Sequence, residues 1–289
     1  MKKQLTTLSL SMFCAIYCIA QNATNMSKFT ETTWQTETLG KGITWQHFHF
    51  NDKQLFNSNQ HINIVRLGKK MRKLQWVFVS GGDSLLKTST LAQNAQATVG
   101  INGSFFDVKN GGALDFIRVD GKTLDTTVLN KGKRAEHQKA AIVFEKNKLK
   151  ILRGDSSDIK WDEKLMHDNI MVTGPLLLLD NQLVTLMKSA FNDNRHPRSC
   201  VCITDKKETL LITIDGRTAE SQGVSLPELR QIAQWLHCKD AINLDGGGST
   251  TLYIEGKPDN GVVNMPCDNK LFDHLGERKV SNIIVVKKL

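Results

Sequence analysis

The residues best equipped for chemistry lie together in Asp240-Ala241-Ile242-Asn243-Leu244-Asp245-Gly246-Gly247-Gly248-Ser249-Thr250-Thr251-Leu252. A short apolar run (Ala241, Ile242, Leu244) ends on a carboxylate and three glycines, the pattern of a buried strand running into an exposed loop. Glycine has no Cβ and accepts positive φ, so the backbone there can pass close to a ligand. Successive amide N–H groups in such a loop form a concave anion site, while Asp245 projects from a rigid strand end. A plain hairpin turn needs one or two glycines, not three with an acid and the hydroxyls of Ser249, Thr250 and Thr251. We read this as a functional loop. It is not a nucleotide-binding P-loop, because no Lys follows the glycines.

A second apolar run, Leu210 to Ile214, also ends in Asp-Gly and is followed by an arginine: Asp215-Gly216-Arg217. If the two strands are neighbours, Asp215, Asp245 and Arg217 meet at one sheet edge. Paired carboxylates are the usual equipment of glycoside cleavage, one as acid and one as base or nucleophile. Arg198, in the basic cluster Arg195-His196-Pro197-Arg198, and Arg217 can grip a phosphate bidentately. The amides of Gly246, Gly247 and Gly248, with Ser249, add donors. A sugar-phosphate diester would engage all of these together. On the residues alone, the constellation is an anion-binding, hydrolase-like site.

Other candidates carry weaker signals. Asn102-Gly103-Ser104-Phe105-Phe106-Asp107 is an apolar strand ending in Asn-Gly, a pair that also marks ordinary turns. Glu228 completes a Ser-x-x-Glu capping box with Ser225, ahead of a helix face formed by Leu226, Leu229, Ile232, Ala233 and Leu236. It is equally a candidate site acid. His47 and His49 share one side of a strand, but no third ligand stands near them in sequence, so they read as structural. No residue is assigned to a metal and no cofactor is required. A divalent cation held by Asp215, Asp245 and Asn102 is the variant that a metal-dependent phosphodiesterase would use.

To position these groups the chain offers many short strands. Residues 43–50, 62–67, 74–79, 97–102, 140–144, 149–152, 171–179, 198–203, 210–214, 241–244, 252–254 and 280–286 read as strands, with Gly174-Pro175 breaking the seventh. Residues 89–96 and the segment after Ser225 read as helices. The spacing is not that of repeating βαβ units, so the expected class is α+β: a β-rich mixed or antiparallel twisted sheet with few helices, in a single domain.

An apolar content of 40% over 289 residues provides a real core and excludes a disordered chain. Lys2 and Lys3 before the apolar run from Leu8 to Ile19 predict a signal peptide over residues 1–20, and hence an exported protein, periplasmic, envelope-bound or secreted. Its removal takes two lysines and no acids, lowering the net charge from +9 to +7. A modestly basic exported protein suits anionic partners such as phosphorylated glycans. No nucleic-acid motif is present, and no later run is long enough for a transmembrane segment. Residues 21–41 are expected to be a flexible N-terminal segment. Of the four cysteines left, Cys200 and Cys202 lie at strand period and face one side, so they do not bond each other. Buried thiols or one bridge are expected among Cys200, Cys202, Cys238 and Cys267.

Taken in order, Asn102-Gly103-x-Phe105-Phe106-Asp107, Thr173-Gly174-Pro175-Leu176, His196-Pro197-Arg198, Asp215-Gly216-Arg217, Gly223-Val224-Ser225-Leu226-x-Glu228-Leu229 and Asn243-Leu244-Asp245-Gly246-Gly247-Gly248-Ser249 resemble the motifs of the phosphodiester glycosidase family. The resemblance extends over about residues 42–287, with Asn264 and Arg278 near its end, which makes 42–289 a domain of that kind. It implies hydrolysis of a sugar-1-phosphate diester on the sugar side, giving free sugar and a phosphomonoester. Arg198, Arg217 and the glycine loop would hold phosphate, Asp245 or Asp215 would act at the anomeric carbon, and Asn102 would orient sugar hydroxyls. A non-catalytic glycan- or envelope-binding protein on the same scaffold is the rival reading.

Overall fold

The apolar runs become strands because their alternate residues are claimed by two different cores. In β14 (Arg198–Thr204), for example, Val201 faces one cluster while Cys200 and Cys202 face another. The same period of two divides Leu211 from Leu210, Ile212 and Ile214 in β15 (Thr209–Ile214). The computed structural model describes residues 21–69 and 73–289. The predicted signal peptide, like residues 70–72, lies outside the described residues.

In chain order, helix α1 (21–30) precedes β1 (Gln35–Gly40), β2 (Ile43–Leu55), β3 (Ser58–Leu67), β4 (Leu74–Ser80) and the short β5 (Leu86–Lys87). Helix α2 (Thr88–Asn94) leads to β6 (Ala97–Asn102), β7 (Ile117–Val119) and β8 (Lys122–Asp125). After a 3-10 turn at Glu136–Gln138 come β9 (Ala140–Glu145), β10 (Lys148–Arg153), β11 (Asn169–Val172), β12 (Leu176–Leu179) and β13 (Gln182–Leu183). Helix α3 (Ala190–Asp193) then precedes β14 and β15. Helix α4 (Leu226–Trp235), β16 (Cys238–Asn243), β17 (Leu252–Ile254), β18 (Lys279–Val280) and β19 (Asn282–Lys288) complete the chain.

These strands form an eight-stranded sheet in the order β1-β2-β3-β15-β14-β16-β12-β13, a five-stranded sheet β10-β9-β11-β7-β8, a four-stranded sheet β17-β6-β19-β4 and the pair β18-β5. All named ladders are antiparallel. The architecture is the expected α+β, β-rich single domain. Its main core lies where the eight-stranded sheet (Val65, Val201, Leu211, Ile242) faces the other two (Ile101, Ile284, Ile117, Ile142). The outer face of the large sheet is covered by α4 and by Phe29 of α1. The Ser225 capping box forms, and Leu226, Leu229 and Ile232 are fully buried, each contributing about 1.5–3 kcal/mol.

Residues 21–41 differ from the expected flexible segment. Phe29 packs against Trp34, Phe50 and Trp235 at 5.2, 6.2 and 5.3 Å between ring centres. Asn25 Oδ1 accepts a hydrogen bond from the Phe56 amide at 2.9 Å, and β1 extends the large sheet through β2. An aromatic anchor hidden in a polar stretch turns the apparent tail into part of the fold. The expected strand pair around Gly174-Pro175 becomes β11 and β12, which belong to different sheets and are joined across a cis Gly174–Pro175 peptide.

Candidate functional site

β15 and β16 are not neighbours. β14 lies between them and pairs antiparallel with both, so β15 and β16 run in the same direction. Asp215 and Asp245 therefore emerge at one sheet edge, separated by two strand spacings of about 4.8 Å each. The expectation required neighbouring strands, and instead the start of β14 lies between the two acids.

Asp245 is half-buried, reachable from the surface yet crowded by protein. Burial pushes its carboxyl up to about 6, against the pull of Ser249, the Gly246 amide and the charge of Arg278. Its Oδ1 accepts the Gly246 amide at 2.9 Å. Ser249 Oγ lies close enough to bias the carboxyl, but like the hydroxyls of Thr250 and Thr251 it is buried without a hydrogen-bond partner in the protein. This loop end is held from behind by Asn102, whose Nδ2 donates to the Asp245 carbonyl at 2.7 Å.

The glycines are required by what approaches them. Gly247 has φ +62, and Arg217 Nη2 lies 2.9 Å from where a Cβ on it would stand. A Cβ on Gly248 would collide with Asp268 Oδ1 and would stand 2.5 Å from Arg278 Nη2. Two arginines thus lie directly against the loop. Arg278 is paired bidentately with Asp268, with both contacts at 2.8 Å. Arg217 is exposed, makes no ion pair with a carboxylate among the described residues, and touches the Cys267 thiol at 3.9 Å. It is itself held at φ 70, a left-handed conformation that costs a non-glycine residue of order 1 kcal/mol and often marks a functional position. Burial pushes the Cys267 thiol up, which keeps it protonated.

Asp215 is only 1% exposed at its side chain and both its oxygens are committed. Oδ2 accepts from His61 Nδ1 at 2.7 Å, and Oδ1 accepts from Asn264 Nδ2 at 2.7 Å. The carboxylate therefore fixes His61 with Nδ1–H toward it, leaving Nε2 as the free nitrogen. The His61 ring is faced by His49 and Phe272 at 5.5 and 5.6 Å. A similar pairing lies on the other side, where buried Asp115 meets His137 Nδ1 at 3.1 Å and accepts from Gln138 Nε2 at 3.1 Å. Burial raises the Asp115 carboxyl, and its charge in turn raises that of Asp245. Phe105 packs on His137 at 4.1 Å and faces Phe191, itself 39% exposed, at 5.9 Å, so an aromatic wall stands beside the His137 ring.

Several expected site residues have other work. Arg198 is 1% exposed, and its donors go to the carbonyls of Val224, Phe191 and Asn194 while its guanidinium lies 4.7 Å from the Phe191 ring centre. Burial, reinforced by Arg217, lowers its pKa to about 10. It is a brace under the site, because three backbone oxygens outcompete a solvent-facing pose. Asn102 also spends its amide inside, with Oδ1 accepting from Ser199 Oγ and the Thr251 amide at 2.6 and 3.2 Å, so it positions the loop and not sugar hydroxyls. Gly103 is pressed against Asn282, whose carbonyl accepts its amide at 3.0 Å. Glu228 closes the capping box and grips Arg195, so the helix end and an ion pair claim both its oxygens. No group of three or more His, Cys, Asp or Glu among the described residues is arranged to hold a metal ion. Asp215 and Asn102, named as oxygen ligands for a cation, have their oxygens taken.

The sequence reading missed His61, Asp115, His137 and Asp268. His61 had a signal: in the β2–β3 hairpin it lies directly opposite His49, so the pair of histidines on β2 has its third ring across the ladder. Asp115 and Asp268 lie in irregular segments and His137 in the 3-10 turn, with no such signal. Of the cysteines, Cys202 and Cys238 form a disulfide, and Cys200 and Cys267 are buried free thiols.

A family model described as phosphodiester glycosidase matches residues 95–287. Among solved structures, the fold is similar to the catalytic domain of zebrafish N-acetylglucosamine-1-phosphodiester alpha-N-acetylglucosaminidase, auto-inhibited by its pro-peptide. That match has a TM-score of 0.65 and 20% identity and covers 89% of each chain. It is also similar to a hypothetical protein from Synechocystis, with a TM-score of 0.65 and 17% identity, covering 88% of this chain and 64% of that one. A prophage-derived protein of Bacillus subtilis, YomE, is 29% identical over 96 residues, which are 32% of this chain and 15% of that protein's length. No described helix is long and apolar enough to cross a membrane.

Proposed function

The chain belongs to the phosphodiester glycosidase family, and from that premise we propose an exported hydrolase that cleaves a sugar-1-phosphate diester on the sugar side. The observation that carries this reading is the Asp245 carboxyl, pushed up to about 6, on a glycine loop against which Arg217 and Arg278 lie. Arg217, with Arg278 and the Gly248 amide beside it, holds the diester phosphate, since the Gly246 and Gly247 amides are spent on Asp245 Oδ1 and the Pro197 carbonyl at 2.9 Å each. Asp245, ionised at neutral pH, acts at the anomeric carbon, directly or through a water molecule. The C1–O bond breaks, the phosphate departs with its bridging oxygen as a monoester, and the oxygen of water ends on the sugar. A phosphate leaving group is already acidic and needs little protonation. His61, held by Asp215, offers Nε2 to move the proton of the attacking water. Phe105 and Phe191 supply an apolar wall for the sugar ring.

N-acetylglucosamine, named in the zebrafish enzyme, is the first sugar to test. Purified residues 21–289 are incubated with sugar-1-phosphate diesters, UDP-sugars included, alongside Asp245→Asn and Arg217→Ala. Free sugar and a phosphomonoester from the wild type, lost in Asp245→Asn, is the expected result. A sugar phosphate as product would place the cut on the phosphate side and sink the proposal, and saturable binding without turnover would favour a glycan-binding protein. The anomer released first, read by NMR, separates direct attack from attack by water.

A further inference from the structure

We infer that Asp268 sets the charge this cradle accepts, making it favour a singly charged phosphodiester over a doubly charged phosphomonoester. The inference rests on the phosphate-binding role proposed above for Arg217, Arg278 and the glycine loop. A site meant only to attract phosphate would leave both arginines free. Instead Asp268 binds Arg278 through Nε and Nη2, at 2.8 Å each, and its Oδ1 presses on Gly248 where a loop-bound phosphate oxygen would rest. Arg278 and Asp268 are both about one-third exposed, at 32% and 34%, so a ligand can reach the pair. The Asp268 amide is tied back to the Gly276 carbonyl at 3.1 Å, which fixes the carboxylate at the loop.

The charge balance follows. Arg217 and Arg278 bring two positive charges to the glycines, and Asp268 cancels one before Asp245 is counted. Substrate and product of the proposed reaction differ in charge. A phosphodiester carries one negative charge at all relevant pH values, whereas a phosphomonoester gains its second near pH 6. A fixed carboxylate beside the phosphate repels the second charge, and inside a partly desolvated cleft that repulsion amounts to a tenfold or greater difference in affinity. Asp268 thus admits the diester and helps expel the monoester. The charged and titratable groups near it are Arg278, Arg217, Asp245 and the Cys267 thiol, and of these four Asp245 titrates between pH 5 and 8.

The test is calorimetric binding of a matched pair, phenyl phosphate and methyl phenyl phosphate, to protein carrying Asp245→Asn, which removes both turnover and the neighbouring titration. Adding Asp268→Asn should tighten phenyl phosphate tenfold or more at pH 8 and change methyl phenyl phosphate threefold or less. The gap should close at pH 5, where both probes carry one charge. Asp268→Glu, which keeps the charge, should retain the preference for the diester, and thermal melts establish that each variant is folded. Equal changes for both probes, or a gap unaltered by pH, would overturn the inference and leave Asp268 as a brace for Arg278, with the cradle intact. If neither probe binds any of the variants, the phosphate cradle itself falls and the inference with it.

Discussion

Asp215→Asn tests whether the buried carboxylate works through His61. The substitution keeps the shape of the side chain, so its effect is one of charge and donors. Asp215 accepts two hydrogen bonds at 2.7 Å, from His61 Nδ1 and Asn264 Nδ2. An amide has one oxygen and can serve only one of them, leaving its own NH2 facing the other donor. Losing one charge-assisted hydrogen bond in a site 1% exposed, and crowding two donors together, costs about 2–4 kcal/mol. For a domain of this size that lowers the melting temperature by roughly 5–10 °C. The imidazole can relieve the clash by moving its proton to Nε2, but then the nitrogen proposed above to accept the proton of water is already protonated, and kcat falls by about 10² to 10⁴. The assay is a thermal melt together with kcat on whichever diester the wild type hydrolyses. A melting temperature within 1 °C and kcat within twofold of wild type would refute the reasoning altogether. Lowered stability with unchanged kcat would leave Asp215 a structural residue and remove His61 from the mechanism.

Four further outcomes are expected. The Asp245 carboxyl is raised from 3.8 to about 6, so the native state holds this proton more tightly than the unfolded chain. Stability from this group is full below about pH 4 and declines as pH rises through 6, so Asp245→Asn should exceed wild type by about 1–2 kcal/mol in urea at pH 8 and match it near pH 3.5. The same ionisation should give kcat/KM an acidic limb near pH 6 in the wild type. Glu228→Gln should cost about 1–2 kcal/mol through the lost Arg195 pair and weakened cap, with kcat within twofold, whereas a large loss of kcat would return Glu228 to the site. Cys202→Ser opens a bridge between residues 36 apart and should cost about 3–4 kcal/mol, with reducing agent lowering the wild type's melting temperature and leaving the variant's unchanged.

What the sequence determined by itself was local. Ser225 and Glu228 three positions apart are enough to start α4, because a capping box satisfies orphan amides within a single turn. Residues 140–144 and 149–152, split by Lys146-Asn147-Lys148, are enough to make the β9–β10 hairpin. Asp245 ahead of three glycines announces a place where other groups press on the backbone, since no other residue tolerates that crowding. Even the disulfide was bounded, because Cys200 and Cys202 at strand period face the same core and cannot meet.

Tertiary structure decided what each charged group does. Arg198 and Arg217 look alike in sequence, each beside a strand and each near the glycine loop. One lies under Phe191, Asn194 and Val224, where backbone carbonyls take its donors, and the other stands at the surface without a carboxylate partner among the described residues. Asp215 and Asp245 both follow a strand, yet sheet order places His61 and Asn264 against the first and leaves the second half-exposed on the loop. Asp268 meets Arg278 and Gly248 only because an irregular segment folds back across the sheet edge. Strand and helix formation depend on neighbours a few positions away, which a sequence displays. The role of a buried or exposed ion depends on which donors and acceptors distant segments bring within 3 Å, and that is a property of the assembled fold.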